Sequence, residues 1–252
     1  MQLKAVAFDL IGTLIHVLPQ RELMIKSLKE TLERQGFILD EFDATYEETS
    51  SAHRRIRQEE LKEVNNCTSV TQTLQKLGYP TPKNTALCDS VEAYFRPYLE
   101  SVMTLDGTER TLAELAPKYS LGVITNFTCS NVVRRSLEKT DLIEFFDHIV
   151  VSCEVGWRKP HPEIFKRYLK KARVKAGAAA FVGDDPRRDV QGARNVGMAA
   201  ILLAQELTPT EDYYYKTDQE PSASGAVRPD YTINSLTELP PTLEKIQSRS
   251  HR

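Results

Sequence analysis

KAVAFDLIGTLIHV, residues 4–17, opens with apolar and small residues that run without alternation into one carboxylate, Asp9, and then into a Gly-Thr pair, Gly12 and Thr13. A run that is apolar on both faces suits a strand inside a parallel sheet, and an acid at its carboxyl end followed by a glycine turn suits a strand that delivers a reactive group to a phosphate-handling loop. Position 11, two residues after the acid, is an isoleucine. The chemistry at this strand end therefore has to be argued from a single aspartate.

Four similar runs recur downstream: LGVITN (121–126), HIVVS (148–152), AAAFVGD (178–184) and MAAILLA (198–204), with stretches of helical spacing between them. This pattern predicts an α/β chain with a doubly wound parallel sheet. In such sheets ligands lie at the carboxyl ends of the strands, where Asp9, Thr125, Asn126, Asp184 and Asp185 fall.

Between the first two runs the apolar period is helical. PQRELMIKSLKETLERQG starts at Pro19, repeats Met24, Leu28 and Leu32, and stops at Gly36. Phe42, Tyr46, Thr49, His53 and Ile56 continue the rhythm, followed by Val70, Leu74 and Leu77, then Leu87, Val91, Phe95 and Tyr98. No strand is expected here. Residues 16–100 read as an inserted α-helical cap, and residues 1–15 and 101–252 as the α/β core. The Pro-, Ser- and Thr-rich segment 208–229, with Tyr213–Tyr215, reads as a surface loop suited to contacts. DYTINSLTELPPTLEKI after it reads as an edge strand and a closing helix.

Hydrophobic residues at 40% and charged residues at 27% describe a folded globular protein, not a disordered one. A formal net charge of -2, with both signs scattered along the chain, offers no basic field to nucleic acid. No apolar run reaches the roughly 20 residues of a spanning helix, and no secretory segment opens the chain. Cys67, Cys88, Cys129 and Cys153 form no C-x-x-C pair, so reduced thiols in a cytoplasmic protein, monomer or homodimer, are expected.

The strand ends offer a consistent chemistry. Asp9 supplies a carboxylate, Thr125 a hydroxyl, Lys159 in GWRKPHPEIF a cation, and VGDDPRRDVQGARNVGM the acids Asp184, Asp185 and Asp189. Hard oxygen donors of this kind suit Mg²⁺ beside a phosphate. Lys159 and Thr125 would hold the phosphoryl oxygens, and Asp9 is then the candidate nucleophile.

FDLIGTL, VITN, KPHPEIF and VGDDPRRDVQGARNVGM together resemble, in order, spacing and placement over residues 4–204, the four motifs of the haloacid dehalogenase (HAD) superfamily, with the helical cap of its subclass I. The resemblance implies a hydrolase with an aspartyl-enzyme intermediate on Asp9. It implies Mg²⁺ contacts from Asp9, the Ile11 carbonyl and Asp184, with Asp185 or Asp189 in support, and a small phosphorylated molecule held near Gly12, Thr13 and Asn126.

Ile11 departs from the pattern. Phosphatases of the superfamily usually carry there the aspartate that protonates the leaving oxygen, a contribution worth about 10² to 10⁴ in rate. Four readings follow: a slow or specialised phosphatase, an acid being borrowed from His16, His53, Arg54 or Arg55; a phospho-ligand or protein binding protein without turnover; a 2-haloacid dehalogenase; and a phosphonoacetaldehyde hydrolase using Lys26 or Lys29. The superfamily's dehalogenases also lack the second aspartate and need no metal. However, Gly183, Asp184 and Asp185 keep the Gly-Asp form those enzymes usually lose, and Phe165 stands where they tend to carry tyrosine.

Overall fold

The computed structural model describes residues 2–18, 21–204 and 228–249. Pro19, the expected helix start, and residues 208–227 of the expected surface loop, Tyr213–Tyr215 among them, lie outside the described residues.

β1 (Ala5–Phe8) is buried on both faces, as its unbroken apolar run requires. A tight turn leads into β2 (Ile15–Val17) and then four helices, α1 (Arg21–Arg34), α2 (Phe42–Arg55), α3 (Asn66–Lys76) and α4 (Asn84–Ser101). β3 (Val102–Thr104) follows and pairs with β2 in a two-stranded sheet. This corrects the expectation of no strand in that part of the chain, because three residues are too few to show an alternating period.

α5 (Thr108–Leu115) leads to β4 (Ser120–Thr125), and α6 (Ser130–Lys139) to β5 (His148–Val151). The short α7 (Ser152–Val155) and α8 (Pro162–Ala172) lead to β6 (Ala179–Gly183). A π-type turn, Pro186–Gln191, and α9 (Gly192–Val196) then lead to β7 (Ala199–Leu203). β8 (Tyr231–Ile233) and α10 (Leu239–Arg249) complete the described chain.

Six of these strands form one sheet in the order β5-β4-β1-β6-β7-β8, with every pairing parallel. Phe8 is in register with Val123 on one side and Val182 on the other. The chain builds outward from β1 through β4 and β5, then returns to the opposite side for β6. This reversal opens a crevice at the carboxyl end of β1, the place where such sheets bind ligands.

The sheet core includes Ile124, Val150, Phe165, Tyr168 and Phe181, all at most 1% exposed. Gly122 on β4 has no room for a side chain: a Cβ there would overlap the Tyr168 ring of α8 and lie 2.8 Å from the His148 carbonyl oxygen.

The chain divides into two compact units, with boundaries between His16 and Val17 and between Ser101 and Val102. In the unit containing Val17–Ser101, α1 packs chiefly on α4 and α2 on α3. The helical period shows which faces do so: Met24, Leu28 and Leu32 are buried on α1, Val70 and Leu74 on α3, and Val91, Phe95 and Tyr98 on α4. Gly36 at φ 92 terminates α1, its left-handed turn letting the Phe37 N–H reach the Leu32 carbonyl.

Candidate active site

β1 continues one residue past its last paired strand position, the Asp9 N–H donating to the Val182 carbonyl at 2.9 Å. The Asp9 side chain thus leaves the sheet at the crevice. Its turn is closed by Gly12 N–H to the Ile15 carbonyl and Leu14 N–H to the Leu10 carbonyl, both at 2.9 Å. Gly12 is required twice over: its φ is 86, and a Cβ would stand 2.6 Å from an Asp184 carboxylate oxygen. That close approach brings the β6 acid against the β1 turn.

Lys159, 2% exposed, places its Nζ 2.8 Å from Asp9 Oδ1 and 2.6 Å from Asp189 Oδ1. Burial alone would depress the lysine pKa, but the charges of Asp189 and Asp9 reverse that, and the net shift is upward. Asp189, 1% exposed, accepts the Asp185 N–H at 3.0 Å on its other oxygen. Burial, with repulsion from Asp9, Asp184 and Asp185, opposes the pull of Lys159 and pushes the Asp189 pKa upward. Gly183 carries no side chain where the Asp189 carboxylate packs over it.

Asp9, Asp184 and Asp189 each bring one carboxylate oxygen to within 4.8 Å of the others, and Asp9 and Asp184 are the more accessible of the three. Three hard oxygen donors converging on one point, with a single ammonium among them, fit a divalent cation of the Mg²⁺ type. Of the residues read from the sequence as site-forming, Asp9, Lys159, Asp184 and Asp189 are thus brought together. Thr125 stands buried at the carboxyl end of β4, beside β1. Thr13 is fully buried in the turn, and Ile11 is half-buried in a bridge to Ile15.

Two of the expected site residues bond to neighbouring main chain. Asp185, expected near the metal, caps the turn after β6: one oxygen accepts the N–H groups of Arg187 and Arg188 at 2.9 and 2.7 Å, and the other the Arg188 Nε at 2.7 Å. Burial works to raise its pKa, but the Arg188 charge and the amide bonds prevail and lower it. Asn126, expected on substrate, brackets the Lys159 main chain. Its Nδ2 donates to the Lys159 carbonyl at 3.0 Å, and its Oδ1 accepts the Lys159 N–H at 2.7 Å.

Among the proposed substitute acids and amines, His53 is buried with both ring nitrogens engaged, by Ser69 at 2.8 Å and Gln72 at 2.7 Å. Arg54 lies 3.9 Å from Glu47, and Arg55 is exposed. Lys29 pairs with Asp43 at 2.6 Å, and Lys26 stands in solvent 4.0 Å from Glu30, so neither is the desolvated amine that Schiff-base chemistry needs. His16 is half-buried on β2.

Sequence reading missed Arg188 and Ser152. Arg188 carried a detectable signal, an acid three residues earlier at a turn start. Ser152, the first residue of α7, carried none, yet its hydroxyl accepts the Phe127 N–H at 2.9 Å and donates to the Phe127 carbonyl at 3.1 Å.

The chain is 30% identical over 252 residues to glyceraldehyde 3-phosphate phosphatase of Pyrococcus furiosus, with 98% of this chain and 94% of that protein covered. The protein of the same name from Pyrococcus abyssi is 31% identical over 205 residues, with 79% and 80% covered. The crystal structure of 2-haloacid dehalogenase from Pseudomonas syringae pv. tomato DC3000 superposes with a TM-score of 0.67 at 23% identity, over 97% of this chain and 99% of that one, a likeness that speaks for the fold alone. Residues 6–203 match the haloacid dehalogenase-like hydrolases. That span includes Asp9, Lys159 and the whole acidic turn, and the chain belongs to this family.

Proposed function

We propose that the protein is a Mg²⁺-dependent phosphatase of small phosphorylated metabolites that transfers the phosphoryl group to Asp9 and then to water. The observation that carries this reading is the Asp9 carboxylate 2.8 Å from Lys159 Nζ, with oxygens of Asp184 and Asp189 grouped within 4.8 Å. The substrate class is supported by the two Pyrococcus relatives, both named as phosphatases of glyceraldehyde 3-phosphate. No disulfide joins the cysteines among the described residues, which accords with a cytoplasmic setting.

Asp9, the Ile11 carbonyl and Asp184 would hold the metal, with Asp189 behind them. When bound, Mg²⁺ neutralises phosphate charge and favours nucleophilic approach. Asp9 attacks phosphorus, and the bond to the ester oxygen breaks with its electron pair leaving on that oxygen. Lys159 and Thr125 hold the phosphoryl oxygens. Water then attacks the aspartyl phosphate, releasing inorganic phosphate and restoring the Asp9 carboxylate. Ile11 has no proton to give, so alkyl esters turn over slowly, and leaving groups that need no proton, such as aryl and acyl phosphates, are favoured.

Ile11 also favours a second reading, a protein that binds the phosphorylated ligand without turning it over. The test is a panel of alkyl, aryl and acyl phosphates and 2-haloacids assayed with Mg²⁺ for the wild type, Asp9→Asn and Ile11→Asp. Aryl or acyl phosphate hydrolysis abolished by Asp9→Asn supports the phosphatase. Phosphate binding with no product, and none gained in Ile11→Asp, supports the binding protein. Halide release that persists in EDTA refutes both.

A further inference from the structure

We propose that Asn126 and Ser152 are positioning residues that act through the main chain to set the Lys159 ammonium against Asp9, an inference that rests on the phosphatase reading of this site. Asn126 supplies both the donor and the acceptor of a two-point bracket on the Lys159 peptide, at 3.0 and 2.7 Å. Ser152 does the same for the next residue along, Phe127, at 2.9 and 3.1 Å. Phe127 is 1% exposed and Ser152 fully buried, so the Ser152 bracket is shielded from solvent, while Asn126 is half-buried.

The two brackets form a continuous path. Ser152, the first residue of α7, holds Phe127, Phe127 is bonded to Asn126, and Asn126 holds Lys159, whose ammonium touches Asp9 and Asp189. Thr125 immediately precedes Asn126 on β4. The Thr125 hydroxyl and the Lys159 ammonium, which on this reading hold the phosphoryl oxygens, are therefore referenced to one hydrogen-bonded segment. A lysine side chain has several free torsions, which the carboxylates of Asp9 and Asp189 restrain at its tip, while the Asn126 bracket fixes the main chain from which that side chain starts. Both polar ends of the Asn126 amide bond the Lys159 main chain, the arrangement expected of a group that orients another.

A double-mutant cycle tests this. Asn126→Ala is expected to lower kcat/KM for an aryl phosphate by up to about 10²-fold, the scale for a misplaced catalytic group. It should divide that loss between kcat and KM in the same proportion as Lys159→Met. Asn126→Ala in the Lys159→Met background should then cost less than about 3-fold, because its effect passes through the missing ammonium. Ser152→Ala, a milder change, should follow the same pattern with a smaller loss, and it serves if Asn126→Ala does not fold.

The same cycle, read as orthovanadate affinity by calorimetry in Mg²⁺, reports on the bracket independently of turnover. Losses that multiply in the double variants, in either measurement, overturn the proposal. So does an Asn126→Ala defect confined to KM with kcat intact, which would mark a direct substrate ligand. A wild type that hydrolyses no phosphate ester refutes the reading of the site, whereas multiplying losses in an active wild type refute the bracket alone.

Discussion

Position 11 holds a half-buried isoleucine, and on the phosphatase reading proposed above it stands where a carboxylate would protonate the leaving oxygen. Because Gly12 and the closing bonds of the turn involve main chain only, Ile11→Asp should leave the turn intact and raise alkyl monoester turnover by at least about 10-fold, measured as phosphate release. An unchanged rate would show that proton donation is not what limits the wild type. Lys159→Met should cost about 3 to 5 kcal/mol in urea unfolding, because it leaves the Asp189 carboxylate buried without its cation. Lys159→Met combined with Asp189→Asn should recover part of that loss, and no recovery would mean that the pair is not the source. That Asp9 and Asp184 would come together could be expected because each directly follows a buried apolar strand, and Lys159 was singled out by the residues around it, although it lies in the loop before α8. The tasks of Asn126 and Asp185 were not legible, because side-chain bonds to a neighbouring main chain leave no pattern in residue types.

At the scale of elements, helical spacing revealed α1 to α4, whereas β2 and β3 were too short to register. Gly122 shows how an element's packing face can hinge on one missing Cβ. Gly122→Ala should destabilise by about 1 to 3 kcal/mol, since the obstacles are a buried ring and a carbonyl of the neighbouring strand; thermal melting checks this. His53 couples α2 to α3, and burial, aided by the charges of Arg57 and Lys76 and opposed by the Gln72 bond, lowers its pKa from the ordinary 6.5. A depressed histidine pKa means that the unfolded chain takes up the proton first. The His53 contribution is therefore complete above about pH 6.5 and is lost as pH falls from there toward the folded value. Melting midpoints at about pH 7.5 and about pH 5 should differ more in the wild type than in His53→Gln. Equal differences would place the pH sensitivity elsewhere.

For the whole molecule, the strand order β5-β4-β1-β6-β7-β8 brings residues 9, 159, 184 and 189 to one crevice from three distant parts of the chain. The convergence stores repulsion among Asp9, Asp184 and Asp189, which a bound divalent cation would relieve. Millimolar Mg²⁺ should raise the melting midpoint by a few degrees, EDTA should reverse the rise, and Asp184→Asn should abolish most of it. A midpoint indifferent to Mg²⁺ in the wild type would argue against a metal at this cluster.

By itself the sequence determined the α/β class, the parallel sheet, the helical segment between the first two long strands and the strand ends at which the acids stand. It did so because buried parallel strands need unbroken apolar runs and helices need a 3.6-residue period, both local properties of the chain. Only the tertiary structure decided how the acids divide their work: Asp189 against Lys159, Asp185 against Arg188 as a cap, and Asp9 and Asp184 toward the crevice. Charge pairing acts over about 3 Å in space, and residue order does not say which charge will lie within that distance once the strands are in place.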